Sequence, residues 1–376
     1  MKKIKVYVNE PYLFGNEKKY LNKCIEDGFV SSSGPFVEKF EKKFAKRIKR
    51  KFAISVSNGT AALQLAFEAL NIKKNDEVIL PSFTIISCIL PVIRSGAIPV
   101  LVDSDPHTWN MDVNKVEKKI TSKTKAIIAP HIYGLPIDMD PLLKIAKKHK
   151  LKIIEDAAEV LGLKYKKKEC GSFGDVSTFS FYANKHITTG EGGMIVTDNK
   201  NIAEKCKSLR NICFNSERRF LHHELGWNYR FTNLQSAVGL AQLEKLNRFI
   251  IKKRKIGTIY NEGLSKVKIF NIPLEKKKYG KNIYWVYGLV LKKNSPIKLD
   301  FFMKKLKEHG IETRNFFWPL HQQPALKKMG YFKNTKLPVS EYLSRNGLYL
   351  PSGLSITPVQ QKYVINKIKK IILKYL

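Results

Sequence analysis

No apolar run in this chain approaches the roughly 20 residues that a bilayer-spanning helix needs, so a membrane protein is not expected. The five cysteines (Cys24, Cys88, Cys170, Cys206 and Cys213) show neither CxxC spacing nor an even count. That pattern argues against a disulfide frame or a zinc site and for reduced thiols in a cytoplasmic protein. Met1-Lys2-Lys3 is like the start of a signal peptide, but residues 4–11 hold no long apolar core, and export is not expected. Acidic residues are scarce: 32 Asp and Glu stand against 68 Lys and Arg, a net charge of +36. Such an excess can serve nucleic acid, an acidic partner or anionic substrates. Here the basic residues are scattered, as in residues 115–119, 147–150 and 252–255, with no basic arm and no aromatic-interleaved patch for stacking bases. They read as solvated helix faces that could also attract a diphosphate. No internal repeat or low-complexity linker appears.

What is present is an alternation. Between about Phe52 and Thr197, short apolar or β-branched runs at 53–57, 77–80, 98–102, 126–130, 152–155, 176–181 and 194–197 read as strands. Helical patterns at 61–70, 85–95, 113–120 and 140–149 lie between the earlier ones. Strands alternating with helices predict an α/β domain with a mainly parallel sheet, and the strands' uniform apolarity predicts helices on both faces. Residues 233–264, with no strong breaker before Gly257, read as one long helix, or two in tandem, leading out of the sheet. A strand at 283–291, a helix at 299–310 capped by Asp300 and stopped by Gly310, and a closing helix at 363–376 predict a smaller α+β unit. The expected division is residues 1–245 for the larger domain and 246–376 for the smaller, since single cores stop growing at roughly 250–300 residues.

Three strand ends carry residues suited to chemistry. Ser57-Asn58-Gly59-Thr60 joins a strand to a helix start, where Gly59 lets backbone approach a ligand and the first helical N–H groups suit a phosphate; Thr60 adds a hydroxyl. Alone, an Asn-Gly turn is often only a turn. Pro81-Ser82-Phe83-Thr84 follows a second strand, and Phe83 is placed either to stack on a planar ring or to fill the core. Glu155-Asp156-Ala157-Ala158-Glu159 ends a third, so Asp156 lies at a carboxyl edge, where ligands of open α/β sheets bind. A helix N-cap is the plainer role for Asp156. Lys185, in Phe179–His186 ahead of Gly190-Glu191-Gly192-Gly193, lies in a tight loop unlike the lysine runs elsewhere. A lysine that forms an imine and a carboxylate that pairs with a pyridinium nitrogen are what pyridoxal phosphate requires of its protein. His186 adjoins Lys185, but neighbours in an extended segment face opposite ways, which makes it structural.

Together these segments resemble the DegT-type sugar-nucleotide aminotransferases, pyridoxal-phosphate enzymes of fold type I, over nearly the whole chain. Tyr12–Glu17, Val30–Gly34, His131–Pro136, Trp227–Gln235, Glu312–Arg314 and Phe317–His321 contribute to the resemblance. It implies an aspartate-aminotransferase-like fold with a seven-stranded sheet, and pyridoxal phosphate on Lys185 with Asp156 beneath its ring nitrogen. It also implies Gly59, Thr60 and Ser180 at the phosphate, Phe83 on the ring and Glu159 at the phenolic oxygen or substrate. Asn228 and Arg230 would reach a neighbouring subunit's site, making a homodimer with shared active sites, and Trp318 and His321 would lie near the sugar. Glu159, where many members carry glutamine, and Lys185, where a dehydratase branch carries histidine, resemble the perosamine-synthase branch. That implies amino transfer from glutamate to C4 of a nucleotide-linked 4-keto-6-deoxy sugar. Transfer to C4 of a UDP- or dTDP-sugar, transfer to C3, or 3-dehydration is the alternative on this scaffold. A basic nucleic-acid-binding or regulatory protein is the non-enzyme alternative.

Overall fold

A computed structural model describes residues 5–215 and 217–375. The start Met1-Lys2-Lys3-Ile4, and Leu376 of the expected closing helix, lie outside the described residues. All seven expected strands form: β1 (Phe52–Val56), β2 (Glu77–Pro81), β3 (Ile98–Val102), β4 (Thr124–Pro130), β5 (Lys152–Asp156), β6 (Val176–Ser180) and β7 (Gly193–Thr197). They make one sheet in the order β1-β7-β6-β5-β4-β2-β3. Only β7 runs against its neighbours, so the sheet is mainly parallel. Successive side chains alternate between two cores: Ile127 and Ile153 face one, Ile128 and Ile154 the other. Burial on both faces is why these strands read as unbroken apolar runs.

Local chemistry explains where the elements depart from expectation. Residues 113–120 form two 3₁₀ turns, Val113–Lys115 and Glu117–Lys119, the first capped by Asp112, whose side chain accepts the Asn114 N–H. Residues 85–95 divide into a 3₁₀ turn, Ile86–Cys88, and a helix, Leu90–Arg94, with Pro91 in its first turn. Lys298, not Asp300, is the N-cap of the helix Leu299–Glu308. Asp300 lies in the first turn, where its charge complements the helix dipole. The strand expected from 283 begins at Tyr287, because Tyr284 takes a left-handed φ of 49°. The closing helix starts earlier than expected, as Pro358–Tyr375.

That later strand joins Phe270–Asn271, Gly347–Leu350 and Arg314–Asn315 in a four-stranded antiparallel sheet. The helix Asn233–Leu264, opened by a capping box between Thr232 and Gln235, runs through the expected 245/246 boundary without a break. Its Phe249 and Ile250 belong to the larger core and its Ile256, Tyr260 and Leu264 to the smaller, so one rod serves both. At the chain start, Val6 pairs with Ile311 and packs in the smaller core.

Candidate active site

The carboxyl ends of β1, β4, β5 and β6 converge on a cavity of about 660 Å³ lined by Asn58, Gly59, Thr60, Asp156, Glu159, Ser180 and Lys185, among others. At its β1 side the helix Gly59–Ala69 begins with Asn58 as N-cap, whose Oδ1 accepts the Ala61 N–H at 2.8 Å. The turn packs tightly on its neighbours. A Cβ on Gly59 would come within 2.8 Å of Ser180 Cβ, and one on Gly193 within 2.5 Å of the Asn58 carbonyl oxygen. Only glycine lets the helix N-terminus approach β6 and β7 this closely. Thr60 Oγ1 meets Ser87 Oγ at 2.9 Å, so two hydroxyls and a helix N-terminus face one wall.

On β5, neighbouring carboxylates have opposite fates. Glu155 points away from the cavity and accepts from His131 Nε2 at 3.0 Å, from the amides of Gly171, Phe173 and Gly174, and from Ser177 Oγ. Burial pushes its carboxyl up, but His131 and these amides outweigh burial and hold it below the usual range. Asp156 faces the cavity with less support: the Ala158 N–H at 3.1 Å and the weak Cys88 thiol at 3.4 Å. Burial dominates there and raises its carboxyl above the usual range. A buried carboxylate this poorly satisfied suits a cationic N–H donor.

Lys185 follows β6 in a turn closed by its own N–H to the Tyr182 carbonyl, and its side chain is only 12% exposed. Its Nζ lies 3.7 Å from Glu159 Oε1 and 3.8 Å from the centroid of the Trp285 ring. Burial lowers its proton affinity, with Glu159 and then Asp156 opposing. Glu159, held through Oε2 by the Tyr133 N–H at 2.7 Å, is pushed up to about 7 by burial, with Lys185 opposing. Burial thus works against charge on both groups, and each opposes that effect on the other. His186 is not on the cavity wall; burial, then Lys253 and Lys185, keep it neutral.

Five expected residues lie elsewhere. Phe83 is fully buried against Tyr133, Phe316 and Phe317 and is not on the wall; Ile85, two residues on, is. His321 is also buried, its Nδ1 bonded to Ser82 Oγ at 2.7 Å and its Nε2 to Glu341 at 3.1 Å, so both ring nitrogens are occupied by the scaffold. Asn228 and Arg230 line a separate cavity of about 790 Å³ with Arg210, Arg219 and Lys207, while Tyr229 between them lines the first. That division follows from alternation along an extended segment. Trp318 is half-exposed with its Nε1 bonded to the Gln322 carbonyl, and it is Phe317 that reaches the cavity.

A family model described as the DegT/DnrJ/EryC1/StrS aminotransferase family matches residues 12–369. The chain belongs to this family. It is similar to the GDP-perosamine synthase of Escherichia coli O157:H7, 41% identical over 371 residues, covering 98% of this chain and 99% of that one. Among solved structures, Helicobacter pylori PseC, an aminotransferase involved in the biosynthesis of pseudoaminic acid, shares the fold with a TM-score of 0.93. The alignment covers 98% of this chain and 100% of that one at 24% identity. A mutant GDP-4-keto-6-deoxymannose-3-dehydratase (ColD) with bound GDP-perosamine has a TM-score of 0.89 at 26% identity, covering 97% of this chain and 100% of that one. Members of the family are pyridoxal-phosphate-dependent aminotransferases of fold type I, and this chain is an enzyme of that kind. The cavity fits the cofactor, offering an under-satisfied buried carboxylate, a buried lysine and an anion-accepting helix N-terminus.

The sequence reading missed several wall residues: Ile85, Tyr182, Tyr229, Trp285, Arg314 and Tyr349. Trp285 and Tyr349 come from the smaller sheet's side of the chain and carry no local motif. Arg314 had a signal, as a lone arginine after Glu312 and Thr313 in a lysine-rich chain.

Proposed function

We propose that this enzyme transfers the amino group of glutamate to C4 of GDP-4-keto-6-deoxymannose, giving GDP-perosamine and 2-oxoglutarate. Lys185 carries the proposal: a buried lysine beside Glu159, in a cavity whose other groups suit pyridoxal phosphate, within a full-length likeness to a GDP-perosamine synthase. Bound there, pyridoxal phosphate supplies an electron-withdrawing ring that eases loss of a proton from the carbon bearing nitrogen. Asp156 would pair with the ring nitrogen, and Gly59, Thr60 and Ser180 would hold the phosphate. Lys185 Nζ takes the proton from the donor's Cα and returns one to the sugar's C4, with Glu159 balancing its charge. Arg314 at the cavity wall offers a bidentate cation for the donor carboxylate or the diphosphate.

We further propose a cytoplasmic homodimer in which Asn228 and Arg230 complete the partner's site. Their cavity is not lined by Lys185, and exposed apolar side chains such as Phe220 and Leu225 lie in the neighbouring segment of the chain. The amino-transfer reading is tested with Lys185→Ala. Wild-type protein should develop a visible absorption band on addition of pyridoxal phosphate and turn over; the variant should lack that band and lose turnover by about a thousandfold or more. Full turnover in the variant would end the proposal.

A further inference from the structure

Trp285 touches Lys185, and the reaction as described gives it no part. The indole is nearly buried and is fixed at both ends. Its Nε1 donates to the Asn184 carbonyl at 2.9 Å, in the turn that carries Lys185, and its own carbonyl accepts from the buried Lys253 Nζ at 2.9 Å. The Tyr133-Gly134 turn fixes the other contact of Lys185, because the Tyr133 N–H holds Glu159. The same turn holds the indole's segment. Gly134's carbonyl accepts the Ile283 N–H at 3.0 Å, and a Cβ on Gly134, whose φ is +97°, would meet the Trp285 and Tyr284 nitrogens at 2.7 Å. One turn therefore sets the carboxylate and the ring face against the same amine.

We propose that Trp285 is a positioning residue: its indole face and Glu159 together form a seat for the Lys185 ammonium whenever Nζ is not bonded to the cofactor. A ring face attracts a cation without accepting a conventional hydrogen bond or adding another full negative charge to those of Glu159 and Asp156. The seat steadies the protonated lysine yet leaves its protons free to be delivered. Asp156 and Cys88 also act on the amine and, with Glu159, favour its charged form against burial; a further carboxylate in place of the ring would tighten that hold on the proton.

The inference rests on Lys185 as the reactive lysine, and its test reads the free amine directly, without turnover. Full-length protein stripped of cofactor is acetylated with acetic anhydride across a pH series, and Lys185 modification is followed by peptide mass spectrometry. Trp285→Leu should lower the midpoint for Lys185 by about one pH unit, with Trp285→Phe in between. Identical midpoints in all three proteins would overturn the proposal, whatever the sugar assay shows. Should Trp285→Leu fold poorly, wild-type protein supplies the second reading. Its indole fluorescence should show a pH-dependent step that Lys185→Met loses, and no such step in wild type would equally overturn the seat. Failure of amino transfer with the labelling shift intact would count against the functional reading alone.

Discussion

Lys185 and Glu159 are buried 3.7 Å apart, so each carries charge at the other's discretion. Glu159 titrates near 7 in the folded protein against a usual value of 4.5. Between those values the folded state binds more protons than the unfolded one, and Glu159 makes stability fall as pH rises. Glu159→Gln removes that slope. In the cofactor-free protein the variant's melting temperature should therefore gain on wild type between pH 5 and pH 7.5; a constant difference would contradict the raised carboxyl. Lys185, Asp156 and Gly59 were legible in the sequence because each stands at a strand end with a chemistry-specific neighbour. Phe83 and His321 were not. Which way a side chain turns after a strand end depends on the following turn, and Ser82 Oγ, by bonding His321, directs that residue into the scaffold.

At the scale of elements, the wall proposed to hold the phosphate depends on how closely a helix start approaches two strands. Gly193→Ala would drive a Cβ into the Asn58 carbonyl, a backbone atom that cannot swing aside. The variant should lose about 1–3 kcal/mol of stability and bind pyridoxal phosphate more weakly. Calorimetry and cofactor titration check both, and unchanged affinity would show that this approach does not shape the wall. The seven strands were legible because burial on both faces makes them uniformly apolar. The 113–120 segment misled because the same apolar spacing is met by two 3₁₀ turns, which bury Val113 and Val116 without a continuous α-helix. The helix Asn233–Leu264 passes unbroken through the expected 245/246 boundary because it packs against both cores.

Across the whole molecule, a net charge of +36 and a second basic cavity bear on assembly and substrate capture. If Arg230 serves the partner's site, Lys185→Ala and Arg230→Ala proteins, each inactive, should recover activity when unfolded and refolded together. A mixed dimer then holds one site with both residues intact; failure to recover would contradict shared sites. Least legible was the far side of the cavity, whose Trp285, Arg314 and Tyr349 come from distant parts of the chain. The most direct test of the account supplies GDP-4-keto-6-deoxymannose and ¹⁵N-glutamate and reads the sugar product by mass spectrometry and NMR. The account predicts labelled nitrogen at C4 with the C3 hydroxyl retained. Nitrogen at C3, loss of that hydroxyl, or no labelled product would contradict it.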